Sequence, residues 1–187
     1  MSPLARQFPL STGGSAQGIG LPNGAVELVD LTAKPRFGIK GPGSSAWLKG
    51  RGITLPPVNR IGTHGDLRVL RLGGEDFLVV DGELDTLTVH WNNATGPRGY
   101  WSWREEGWAW MRLSGRAVDG VMARLCALDL RAGRFCEDEI AQTRVAQLEA
   151  VLVRAGEGFD VFFDIAATAF FVRTVIHAAK QAAGERT

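Results

Sequence analysis

The chain of 187 residues is poor in the side chains on which most local chemistry depends. It has two cysteines, Cys126 and Cys136, and three histidines, His64, His90 and His177. Two cysteines nine residues apart make neither a disulfide framework nor a zinc pattern, so a reduced, cytoplasmic setting is the expectation. No two histidines stand at i, i+3 or i, i+4, so no helix face offers a ready pair of metal ligands. Neither sign of charge dominates: 21 Lys and Arg stand against 20 Asp and Glu. A formal net charge of +1 supplies no long-range field for nucleic acid or an anionic membrane. No apolar run reaches the ~18 residues of a membrane span, and the N-terminal stretch lacks the continuous apolar segment of a secretory signal. The Gly-x-Ser-x-Gly elbow is missing, and neither cysteine has a local catalytic signature. Cys126, on an apolar helix pattern, reads as a small buried hydrophobe.

What is present is an ordinary globular balance, 45% apolar and 22% charged residues. A chain of this size buries roughly 70% of the surface its unfolded form exposes, so its core needs no staples. The most informative feature is repetition. Arg36-Phe37-Gly38-Ile39-Lys40 runs into a Gly41-Pro42-Gly43 turn and a helix from Ser44. Trp108 to Leu113 runs into Ser114-Gly115 and a helix with apolar residues at Val118, Val121, Met122 and Leu125. Leu67 to Leu72, Gly73-Gly74 and Phe77 to Val80 answer to Ala150 to Arg154, Gly156-Glu157-Gly158 and Phe159 to Phe163. Fixed order at matching spacing predicts two β-α-β-β-α units in an α+β fold, with antiparallel or mixed sheets and helices packed on them.

The predicted organisation is a glycine- and proline-rich arm over 1–25, a first half over 26–98 and a second over 99–187. The arm is expected to form neither helix nor strand, with Phe8, Leu10, Ile19 and Leu21 as apolar anchors against a partner. Ala25 to Leu31 alternates and reads as a strand. Thr63 to Asp66 reads as a turn. Asp85 to Asn93 is ambiguous, because Thr86, Thr88 and Val89 disfavour the helix that the repeat requires. Gly99 to Met111 reads as an aromatic hairpin about Glu105-Glu106-Gly107, with Trp101 and Trp103 on one face. The last helix starts near Asp164, with Ile165, Ala169, Val172, Ile176 and Ala179 as its stripe and Phe170, Phe171 and Val175 widening it. Glu137-Asp138-Glu139 reads as a solvated loop or as a charged rim at a protein surface.

Gly41-Pro42-Gly43-Ser44-Ser45-Ala46 matches the G-x-G-x-x-A dinucleotide pattern between a strand and a helix. The helix is only about two turns long, and position 61, where an acidic residue would hold a ribose, is Ile. The glycines therefore read as serving the tight turn. Gly18 to Gly24 lacks the Gly-Lys-Ser/Thr of a phosphate loop and precedes a strand. Six tryptophans exceed what one small core usually needs, and tryptophan is favoured at interface centres.

Leu128-Asp129-Leu130-Arg131, Phe135, Ala141-Gln142-Thr143-Arg144-Val145-Ala146, Phe159-Asp160-Val161 and Phe163-Asp164 before an apolar helix together resemble the gamma subunit of heterotetrameric sarcosine oxidase. Leu72-Gly73-Gly74-Glu75-Asp76-Phe77-Leu78 resembles a β-turn-β segment of that family, with Gly74 in place of a proline. The similarity spans roughly residues 26 to 181 and includes the small subunit of N-methylglutamate dehydrogenase. The glycine-rich N-terminus departs from it. The resemblance implies a fold like the folate-binding core of the glycine-cleavage aminomethyltransferases. It also implies partners, namely alpha, beta and delta subunits that carry FAD, FMN, NAD, tetrahydrofolate and zinc. It gives this chain no catalytic, cofactor or metal residue.

The expectation is thus a non-catalytic, cytoplasmic accessory subunit of a complex that oxidatively demethylates a secondary N-methyl amine. The alternative is a free-standing folate-dependent aminomethyl transferase, for which Asp66, Asp81 and Asp129 are the acidic candidates. An RNA-binding module lacks its aromatic motif and its positive charge.

Overall fold

The computed structural model describes residues 17–21 and 24–183. They form eleven strands in two sheets, with five helices. The chain divides into two compact units, one of residues 1–34, 108–135 and 143–187, the other of 35–107 and 136–142.

The second unit carries the first copy of the repeat. Its elements run β3 (Arg36–Lys40), α1 (Ser44–Lys49), β4 (Arg60–His64), β5 (Leu67–Gly73), β6 (Asp76–Val80) and α2 (Asp85–Asn93), then β7 (Tyr100–Trp101) and α3 (Arg104–Gly107). Strand order across the sheet is β4-β5-β6-β3-β7. Alternate residues of a strand share a face. Phe37 and Ile39 of β3, Val69 of β5, and Phe77 and Val79 of β6 thus face one side. There they meet Trp47 and Leu48 of α1 and Leu87 and Trp91 of α2. Phe37 lies 5.5 Å from Trp47, 6.1 Å from Trp91 and 5.2 Å from Trp101, ring centre to ring centre. Leu87 and Trp91, four residues apart, put both large side chains of α2 on the same face. That burial overrides the weak helix propensity of Thr86, Thr88 and Val89.

The first unit carries the second copy. Its elements are β1 (Gln17–Gly20), β2 (Glu27–Asp30), β8 (Trp108–Ser114), α4 (Val118–Leu125), β10 (Leu148–Ala155), β11 (Gly158–Asp164) and α5 (Thr168–Ala182). The strand β9 (Ile140–Val145) begins among residues of the second unit and ends in this one. Strand order is β1-β2-β8-β11-β10-β9. The run β8-β11-β10-β9 repeats β3-β6-β5-β4, so each copy is β-α-β-β-β-α, one strand more than the sequence pattern predicts. Pair register repeats as well: Phe77 faces Ile39 across β6 and β3, and Phe159 faces Leu113 across β11 and β8. The added strand in the first copy is β4, which includes Thr63 and His64 and leaves only Gly65 and Asp66 to the turn.

Three further expectations are corrected. Residues 17–20 form β1, paired with β2 from Gln17–Asp30 to Gly20–Glu27, because glycine still contributes both of its backbone hydrogen-bonding groups to a ladder. Leu21 is buried, while Phe8 and Leu10 lie outside the described residues. The aromatic hairpin does not form. β7 pairs with β3, β8 pairs with β2 and β11, and Arg104–Gly107 is a helical turn. Arg104 grips Asp76 with both guanidinium nitrogens at 2.7 and 2.9 Å, and Glu105 accepts from the Arg36 N–H at 2.7 Å. Those bonds leave no Glu-Glu-Gly turn, and Trp101 is packed in the core while Trp103 is exposed. The α5 stripe is rotated to Thr168, Phe171, Val172, Val175, Ala178 and Ala179, because the Phe171 ring stacks on Phe163 at 4.3 Å. The acidic run is a turn exposed at Glu137 and Asp138, in keeping with a solvated loop, with Glu139 reaching Arg60 at 2.7 Å and the Ile61 N–H donating to the Asp138 carbonyl.

Asp164 does cap the helical entry as expected, accepting from the Ala166 N–H at 2.9 Å ahead of α5. The α4 stripe of Val118, Val121, Met122 and Leu125 is buried as predicted. Among the described residues no helix is long and apolar enough to cross a membrane.

Candidate functional site

The glycine turn before α1 is closed to a ligand by the chain itself. Gly41 and Gly43 take φ of 89° and 96°, which a side chain at either position would strain. The Glu75 carboxylate accepts from the Ser45 N–H at 2.8 Å, filling the place a phosphate would take at the start of the helix. That hydrogen bond, opposed by partial burial, holds the Glu75 carboxyl below its ordinary pKa. The Tyr100 ring lies against Gly41, and the backbone of Pro97 and Arg98 lies against Gly43. The glycines thus serve the turn and close backbone approach.

The residues that carry the family resemblance also have structural partners. Gln142 donates from Nε2 to the Leu72 carbonyl at 2.6 Å and to Asn59 Oδ1 at 2.8 Å, clamping the start of β9 to the second unit. Asp129 accepts from the Arg131 guanidinium at 2.7 and 2.8 Å, and this pairing depresses its pKa to about 2. Arg154 donates to the Phe135 carbonyl at 2.7 Å and to the Leu130 carbonyl, fixing the segment after α4. Asp160, fully buried, is held by Arg112 at 2.7 and 2.8 Å. A hollow of about 330 Å³ lies beside Asp129, Arg131 and the buried Cys126.

The three acidic candidates for one-carbon transfer are not gathered into a site. Asp81, at φ 63°, pairs with Arg68 at 2.6 Å. Asp66 is exposed in the β4–β5 turn, whose backbone packs against Gly82. Asp129 belongs to the other unit and is engaged by Arg131. Among the described residues no three His, Cys, Asp or Glu side chains converge as metal ligands. His177 shares a 2.9 Å hydrogen bond with Gln181 on α5.

A larger cavity, about 530 Å³, opens in the second unit. Its floor is apolar, made by Ile53, Leu67 and Leu87. Around it stand Arg51, which follows α1, His64 at the end of β4, and Glu83 and His90 at either end of α2. Two of the three histidines thus share one wall system, although no short spacing links them. Arg51 lies flat on the Trp47 indole, its guanidinium carbon 3.6 Å from the ring centre, and donates to the Trp47 carbonyl at 3.0 Å. Its Nε is buried with no hydrogen-bond partner, and burial lowers its pKa. No carboxylate pairs with Arg51 among the described residues. Sequence reading missed this cavity because Arg51, His64, Glu83 and His90 meet only when β4, β5 and the two helices pack.

Two antiparallel sheets, each built on the same β-α-β-β-β-α copy with helices packed on strands, define the class: a duplicated α+β fold, consistent with the folate-binding-like type. Heterotetrameric sarcosine oxidase from Corynebacterium sp. U-96, solved in complex with pyrrole 2-carboxylate, contains a chain of this fold. The two superpose with a TM-score of 0.70 over 87% of this chain and 86% of that one, at 22% sequence identity. No protein-family model and no curated protein matches the chain.

Proposed function

We propose that the chain is a gamma-type accessory subunit of a sarcosine-oxidase-like complex and carries no reacting group of its own. Its partners would be alpha, beta and delta subunits that hold the flavins, nicotinamide, folate and zinc. The complex would oxidatively demethylate a secondary N-methyl amine in the cytoplasm. The observation that carries this reading is the shared fold over nearly the whole length of both chains, with a neighbour that works as a heterotetramer. Two further features support it. The residues that match the family pattern, Asp129, Phe135, Gln142 and Asp160, are bound into loops and sheets. Two large aromatics also stand in solvent on the segment after α2, Tyr100 at 67% exposure and Trp103 at 66%.

Trp103 is held at φ 53°, a left-handed conformation that costs a bulky residue about 1–3 kcal/mol. Arg104 beside it is locked onto Asp76, so the indole is presented on a rigid base. Exposed tryptophan and tyrosine on rigid backbone suit the centre of a protein interface. Co-expression with the flavin-bearing subunits of such a complex tests the reading. Amine oxidase activity should appear only when this chain is included. Full activity of the complex assembled without it defeats the proposal.

A further inference from the structure

The 530 Å³ cavity of the second unit is bordered by a cation, Arg51, that makes no salt bridge among the described residues. Arg51 is covered on one side by the Trp47 ring and leaves Nε without an acceptor in a buried position. Arg51 as a whole is half-buried, and its buried Nε has lost solvation that an acceptor set against the guanidinium would restore. Among the described residues its side chain donates through one terminal nitrogen to the Trp47 carbonyl. Glu83, the acidic residue of the wall, is exposed and accepts from the Asp85 N–H at 3.2 Å with one carboxylate oxygen. The floor beyond is hydrocarbon, from Ile53, Leu67 and Leu87. Planar guanidinium matches carboxylate geometry through two parallel N–H donors, and a volume of this order accommodates a small organic molecule.

We propose that this cavity is a binding site for a small organic carboxylate with an apolar body. The carboxylate meets Arg51, the body lies on Ile53, Leu67 and Leu87, and His64 and His90 supply the rim. The site is complete within one unit of this chain, so it stands whether or not the chain is an accessory subunit.

Benzoate and benzamide are suitable probes, since they share a ring and differ in the anion. Calorimetric titration of the full chain should give a Kd for benzoate of about 1 mM or tighter. Benzamide should bind at least about tenfold more weakly. Arg51→Gln should bring benzoate down to the benzamide level. Thr86→Trp, placed at the exposed cavity wall on α2, should weaken both probes while leaving Arg51 in place. Amide chemical shifts of residues 51, 64, 87 and 90 should move on benzoate addition. Equal affinity for the two probes overturns the anion site, as does unchanged benzoate binding in Arg51→Gln. Should Arg51→Gln lose its cooperative thermal transition, the probe pair and Thr86→Trp decide: shifts confined to other residues, or no effect of Thr86→Trp on benzoate, overturn the proposal.

Discussion

Single side chains account for much of the local order, through close approach and through paired charge. Gly158 opens β11 directly against β8, and a Cβ there would sit 2.2 Å from the Leu113 carbonyl oxygen. Backbone cannot retreat as a flexible side chain can, so Gly158→Ala should destabilise the fold by about 1–3 kcal/mol, measured by urea unfolding. Asp129 shows the other kind of control. Its carboxyl is depressed to about 2, chiefly by the Arg131 guanidinium. A depressed acid stabilises the fold above its unfolded pKa, and the effect fades as pH falls through the folded value. The pair's contribution is therefore complete above the ordinary 3.8 and vanishes near pH 2. Carbon-detected NMR titration should place Asp129 near that lower value, and Arg131→Gln should return it toward 3.8. A carboxyl that stays low in Arg131→Gln would remove the ion pair as the cause.

At the scale of the element, α1 is the clearest case of a segment made possible by a distant residue. Six residues are too few to hold a helix in isolation. Trp47 and Leu48 anchor it to the sheet, and Glu75 from the β5–β6 turn accepts the Ser45 N–H. Glu75→Gln should cost about 1 kcal/mol at neutral pH, the order of a lost helix cap. Because the Glu75 pKa is lowered in the folded state, the difference between the two proteins should be present above 4.5 and shrink as pH falls below it. Thermal unfolding at a series of pH values measures this, and a pH-independent difference would show that charge is not what caps the helix. Helix α2 makes the same point through packing: its sequence favours no single state, and Leu87 and Trp91 settle it by burial in the aromatic cluster. The hairpin read over 99–111 failed for a related reason. Its alternating aromatics are real, but Arg104 and Glu105 bind Asp76 and Arg36, so the two aromatic strands enter different sheets.

For the whole molecule, the duplicated order of elements was legible because strand, turn and helix patterns recur at equal spacing. The additional strand of each copy was not, since β4 and β9 lack clean alternation and gain their place by pairing with β5 and β10. Trp47, Trp91 and Trp110 are buried, Trp101 and Trp108 are half-buried, and Tyr100 and Trp103 are the most exposed aromatics among the described residues, ahead of Phe170. Assembly should depend on that pair. Tyr100→Ala with Trp103→Ala should leave unfolding of the isolated chain nearly unchanged and weaken capture by co-expressed partner subunits by about 2 kcal/mol or more per anchor. Undiminished capture would place the interface elsewhere. The amino-acid order by itself determined the repeat, the glycine turn before α1 and the amphipathic face of α4, because these follow from local conformational preference and periodic burial. Only the tertiary structure decided that residues 27–30 join β8, that α5 turns Phe171 rather than Phe170 inward, and that Arg51 and two distant histidines border one cavity. Each of those depends on hydrogen bonds or contacts between segments far apart along the chain, which no local pattern encodes.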